Sequence, residues 1–235
     1  MNKIHQFEWG ASNWFLITGG EPVMVDTGTG GSRENFESLC ASCGVRPAEI
    51  SLIIISHEHA DHFANLDWTK HMTGGAPVVC HRAAEESLRE GILPDVAPRN
   101  DLGEQAMLDP PFLGPVPKVC PDITFEGEFD LRSYGIAGSI ISTPGHSDGS
   151  TAIILDDGQA IVGDTVVRPH GGDGVVAAFL ANDAVALGQS LVMLMSRASV
   201  FYSGHGGPFT REEVMAALEG DDLWKELHLN GRAST

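Results

Sequence analysis

An apolar run, Leu52-Ile53-Ile54-Ile55, leads through Ser56 into His57-Glu58-His59-Ala60-Asp61-His62. The run suits a buried strand. Three imidazoles and two carboxylates then leave the strand end within six residues. Groups crowded in this way must be solvated, paired or bound to metal, and a metal ion satisfies all of them at once. A solvated polar loop is the alternative, because such side chains also decorate exposed turns.

Three further ligand-type residues each follow an expected strand in a tight turn with glycine. They are His146 in Thr143-Pro144-Gly145-His146-Ser147, Asp164 in Gly163-Asp164-Thr165, and His205 in Ser203-Gly204-His205-Gly206-Gly207. Glycine permits the sharp turn and lets an ion approach the backbone. Five histidines and two aspartates result. That is enough for two ions sharing one carboxylate, with positions left for water and substrate.

At these residues the chain resembles the metallo-β-lactamase-fold superfamily of metallohydrolases. The motifs run in order: HxHxDH at 57–62, Thr-Pro-Gly-His ending at His146, Gly-Asp-Thr ending at Thr165, and Ser-Gly-His-Gly around His205. Asp26-Thr27-Gly28 after Val23-Met24-Val25 also matches. Pattern alone gives only mixed α and β, with strands interleaved with helices. The resemblance implies an α+β fold built as a four-layer αββα sandwich, with the metals at the shared strand ends.

It also implies roles. His57, His59 and His146 match one metal site, Asp61, His62 and His205 the second, and Asp164 the bridge between them. Asp61 is the expected catalytic residue, ligating and orienting the attacking hydroxide. Asp26 is a candidate to orient a ligand from behind, and the loop containing Arg168 and His170 is a candidate for substrate contact. Two divalent ions are expected, zinc first, with iron or manganese as alternatives. A hydroxide formed between them would attack a carbonyl while the second ion stabilises the departing oxygen or sulfur anion.

Hydrolysis of an ester, lactone or thioester is the expected reaction, as in acyl-homoserine lactonases and hydroxyacylglutathione hydrolases, which share these ligands. The bridging aspartate argues against a true β-lactamase. Only about thirty residues follow His205, with few basic groups, which disfavours glutathione thioesters. The alternatives are a mononuclear iron dioxygenase acting on persulfides, with two histidines and one aspartate as ligands, and a dinuclear phosphodiesterase.

The 235 residues suffice for one sizeable core, and no linker divides them, so residues 1–235 are expected to form a single domain. Residues 91–122, rich in proline and glycine with Met107, Leu108, Phe112 and Leu113, suit a lid-like insertion that could cover an acyl chain. A net charge of -18 with only 14 lysines and arginines argues against a broad nucleic-acid footprint. No apolar stretch reaches a membrane span and the N-terminus lacks a signal-peptide core, so the cytoplasm is the expected compartment. The expected partner is a small-molecule substrate, with no membrane; a homodimer is allowed.

Cys40-Ala41-Ser42-Cys43 lacks a second pair to complete a four-sulfur zinc site, so both cysteines are expected to pack near a helix end. Helices are expected over 32–43, with Ser32 as its N-cap, and over 62–71, 82–90 and 183–196, with a capping box at Thr210 and Glu213 opening another. Strands are expected over 6–9, 14–18, 22–25, 52–55, 78–80, 136–142, 151–155, 160–162 and 199–202. His5, His71, His81 and His228 are expected to be structural or solvated. Glu58 and Ala60 are expected to be spacers pointing away from the site.

Overall fold

Alternate residues of the central strands belong to different apolar cores, and that alternation stacks the sheets. The computed structural model describes residues 1–108 and 115–225. Its first sheet contains β1 (Lys3–Trp9), β2 (Ser12–Thr18), β3 (Val23–Val25), β4 (Leu52–Ile54), β5 (Val78–His81) and β6 (Ile123–Phe125), neighbouring one another in that order. The first three pair antiparallel and the rest parallel.

The second half contributes β7 (Glu128–Asp130), β8 (Gly138–Ser142), β9 (Thr151–Leu155), β10 (Gln159–Ile161), β11 (Val166–Val167), β12 (Val176–Ala177), β13 (Val200–Tyr202) and β14 (Phe209–Thr210). The second sheet runs β14-β13-β10-β9-β8-β7, while β11 and β12 form a separate ribbon. The helices are α1 (Arg33–Ser42), α2 (Ala60–Phe63), α3 (Leu66–Met72), α4 (Glu85–Glu90), α5 (Asp101–Leu108), α6 (Ala184–Arg197) and α7 (Arg211–Gly220).

Phe15, Ile17, Leu52 and Ile54 pack against Ile140, Ile153, Leu155 and Ile161 between the sheets. Their sequence neighbours Trp14, Leu16 and Ile53 turn the other way, onto Phe36 and Cys40 of α1, Leu66 and Leu88. On the opposite side, Ala152 and Ala160 meet Leu187, Leu191 and Leu194 of α6 and Val214 and Leu218 of α7. The layers are therefore αββα, as expected. Strands buried on both faces need no polar alternation, which explains the unbroken run at 52–55.

Both helix starts singled out in the sequence carry their caps. The Ser32 side chain accepts from the Asn35 amide, and Thr210 exchanges both capping-box bonds with Glu213. Three expectations change. The helix expected over 62–71 is split into α2 and α3, because Asn65 turns its Nδ2 to donate to the carbonyls of Thr27 at 2.9 Å and Gly30 at 3.0 Å. The insertion expected as loop contains α5, whose Gly103 abuts the chain so closely that a Cβ would lie 2.2 Å from the Phe179 carbonyl oxygen. The short strands β6, β7, β11, β12 and β14 add to the expected set.

Residues 109–114 of the lid-like insertion, and His228, lie outside the described residues. The base of the insertion is anchored: Pro98 bridges to Leu180, and Arg99 makes two bonds to Asp221 at 2.7 and 2.8 Å. Among the described residues, no helix is long and apolar enough to cross a membrane.

Candidate metal centre

Four turns meet at one end of the sandwich. The turn after β4 carries His57 and His59 into α2, which supplies Asp61 and His62. The turns after β8, β10 and β13 deliver His146, Asp164 and His205. All seven expected ligands come together. His57, His59 and His146 form one trio whose ligand-type atoms lie within 4.8 Å of one another, and Asp61, His62 and His205 form another. A third, His57, His62 and Asp164, joins them.

Asp164 faces both sides. Its Oδ2 is 3.7 Å from His146 Nε2, 4.0 Å from His57 Nε2 and 3.1 Å from His205 Nε2, while Oδ1 is 3.5 Å from His62 Nε2. Asp61 Oδ2 lies 3.2 Å from His205 Nε2 and 3.6 Å from His62 Nε2.

The rings are oriented from behind. Asp26 accepts from the Ser56 amide and hydroxyl, both at 2.7 Å, and its Oδ2 is 2.9 Å from His62 Nδ1. Ser56 Oγ, having donated its proton to Asp26, accepts from His57 Nδ1 at 3.0 Å. His146 Nδ1 donates to the Leu180 carbonyl at 2.8 Å. Placing the Nδ1 protons in this way leaves the Nε2 lone pairs of His57, His62 and His146 aimed inward. Asp26 does this from a left-handed backbone, φ 57°, which costs a non-glycine residue on the order of 1–3 kcal/mol unless its surroundings hold it.

The inward atoms suit a cation. His57 Nε2 and His146 Nε2, two acceptors by the assignment above, face each other at 3.3 Å, and His146 Nε2 is 2.8 Å from His59 Nδ1. Among the described residues, His59 Nε2, His62 Nε2 and Asp164 Oδ1 are buried without a hydrogen-bond partner. Converging lone pairs and orphaned polar atoms are costly in a dry interior, and a divalent ion resolves both.

Electrostatics separate the two trios. Burial, helped by neighbouring imidazoles, pushes His57 well below the usual histidine range and His59 down to about 3. Both therefore offer neutral nitrogen at any physiological pH. Burial also opposes charge on His62 and His205, but the carboxylates outweigh it: Asp61, Asp164 and Asp26 raise His62 well above its usual value, and Asp164 and Asp61 raise His205 to about 10. The converse holds for the acids. Burial resists their ionisation, yet His62 and His205 hold Asp61 at about 2 and Asp164 well below the carboxylate range.

The substrate-contact candidates stand further out. Arg168 and His170 are exposed; the Arg168 guanidinium lies over the Phe209 ring, 5.4 Å from its centroid. Cys40 is buried, its thiol pushed up to about 12 by burial, and Cys43 is half-buried; both are free thiols. His81 stacks edge-on against Phe125, and His71 is exposed.

Glu58 departs from its expected role. Its side chain does leave the trio, but it is 3% exposed and accepts from Ser147 Oγ and the Gly149 amide. Two residues of the first hairpin also escape a reading of the sequence. Ser12 Oγ donates to the Asp61 carbonyl at 2.6 Å, and Asn13 Nδ2 donates to the carbonyls of Ser203 at 2.8 Å and Gly206 at 2.9 Å. Their partners lie 49 to 193 residues away, so no local pattern announces them.

Residues 7–205 match the family profile described as the metallo-beta-lactamase superfamily. A probable metallo-hydrolase of Methanocaldococcus jannaschii is 31% identical over 156 residues, covering 66% of this chain and 68% of its own. The atrochrysone carboxyl ACP thioesterase of Aspergillus fumigatus is 28% identical, over 84% of this chain but only 51% of its own length. The chain thus spans between about half and two thirds of these relatives. Two solved structures share the fold: BLEG-1 B3 metallo-beta-lactamase has a TM-score of 0.65 at 20% identity, over 92% of this chain and 97% of its own. A protein solved in a di-iron-bound form, TTHA1623, has a TM-score of 0.61 at 22% identity, over 92% of this chain and 98% of its own. A match running from the first hairpin through the last histidine turn, on a sandwich of the same layers, means that the chain belongs to the metallo-beta-lactamase superfamily of metal-dependent hydrolases.

Proposed function

We propose that this protein is a hydrolase of esters, lactones or thioesters that works with two divalent ions, zinc, iron or manganese, shared across Asp164. The supporting observation is the pair of ligand trios with Asp164 reaching both. His57, His59 and His146 would hold one ion, and Asp61, His62 and His205 the other. Such ions supply positive charge for a developing oxyanion and activate water near neutral pH.

The chain's own groups do the rest. Asp26 and Leu180 fix the imidazole orientations, so the site is set before substrate arrives. Asp61, ionised and with a 12% exposed side chain, is the carboxylate able to orient a water at the site. The acyl preference draws support from the insertion. Leu102, Met107 and Leu108 expose apolar surface on α5, and the base of that segment is paired with the strand-like stretch that binds His146. A thioesterase among the relatives points the same way.

The test is a screen of acyl thioesters, lactones and phosphodiesters on metal-analysed protein, with Asp164→Ala as control. Turnover of acyl substrates in anaerobic buffer, abolished in the variant, is expected. Cleavage confined to phosphodiesters, or one iron per chain with oxygen consumption, would overturn the proposal.

A further inference from the structure

Glu58 lies between two of the proposed ligands but belongs to neither trio. We infer that Glu58 is a positioning residue, a buried strap that fixes His146 against His57 and His59. The inference rests on the metal reading above and concerns how the first trio is held.

The geometry begins with the backbone. His59 is extended, φ -76° and ψ 141°, and side chains in extended chain alternate sides. His57 and His59 meet His146 on one side, and Glu58 leaves on the other. Its carboxylate enters the turn that follows His146, accepting from Ser147 Oγ at 3.0 Å and from the Gly149 amide at 3.1 Å. Both carboxylate oxygens act as acceptors.

That turn is built around the carboxylate. Ser150 Oγ accepts from the Ser147 amide at 3.0 Å and lies 2.9 Å from Ser147 Oγ. A Cβ at Gly149 would lie 2.2 Å from Glu58 Oε2, so no side chain fits there while Glu58 keeps its place. Thr151 closes the other flank by donating its amide and hydroxyl to the Ser56 carbonyl, both at 2.9 Å.

The result is a closed ring: backbone from His57 to His59, the Glu58 carboxylate, residues 147–149, and back to His146. The ring keeps three imidazoles from drifting apart.

The test is a cobalt(II) titration of the metal-depleted full chain, followed by visible absorption, for wild type, Glu58→Ala, Glu58→Gln and Ser147→Ala. Each is made in the native chain and in a His146→Ala background. Glu58→Ala should weaken one of the two binding events about tenfold or more and leave the other within about twofold, with Glu58→Gln and Ser147→Ala milder. Because Glu58 acts through His146, the effect should vanish in the His146→Ala background. Unchanged cobalt affinity, equal weakening of both events, or equal weakening with and without His146 would overturn the inference. Wild type that takes up no cobalt would overturn the metal reading itself and the inference with it. Thermal unfolding of the metal-free variants identifies any that fail to fold, and Ser147→Ala then carries the comparison.

Discussion

A histidine binds metal through one nitrogen, and which one is decided by what the other nitrogen touches. Asp26 makes that choice for His62 directly and for His57 through Ser56, so one carboxylate serves both trios. Asp26→Ala should lower metal affinity about 10–100-fold while leaving secondary structure intact, measured by competition with a chromophoric chelator and by circular dichroism. Protons compete for the same atoms. In the metal-free protein His205, raised to about 10, and His62, raised well above its usual value, are protonated at neutral pH, and both must lose that proton to bind an ion. Affinity should therefore still climb between about pH 7 and about pH 9, whereas ordinary imidazoles with pKa about 6.5 would level off below that window. Titration calorimetry in buffers of different ionisation enthalpy reads the released protons, and a flat profile above neutrality would contradict it.

At the scale of elements, each helix end is a separable device. Thr210→Ala removes one arm of the α7 capping box and should cost about 1 kcal/mol in urea denaturation, with metal content unchanged. This cap was legible because its partners are three residues apart, as was the Ser32 cap. The histidine turns were legible for a similar reason: HxHxDH packs its ligand types into one short run, and glycine marks the other turns. What stayed hidden depends on distant partners. Asn65 breaks a helix by bonding to Thr27 and Gly30, Glu58 finds its donors about 90 positions downstream, and Asn13 holds the His205 turn from the first hairpin. Strands such as β11 and β12 have two residues each, too few for any periodicity.

On the whole-molecule scale, the site exists only because two sheets stack. Neither sheet holds it alone: the first brings His57, His59, Asp61 and His62, the second His146, Asp164 and His205. The core of Phe15, Ile54, Ile140 and Ile153 between the sheets sets how closely those turns approach. The unbroken apolar run at 52–55 was legible as a buried strand, whereas the face-to-face stacking of two sheets was implied only by family resemblance. The Asp164 carboxylate reaches both ligand sets, so its loss should be read directly in the ion count. Elemental analysis of purified wild type and Asp164→Ala, after dialysis against metal-free buffer, should give about two divalent ions per chain in the first and at most about one in the second. Fewer than two ions in wild type, or two retained without Asp164, would contradict a bridged pair.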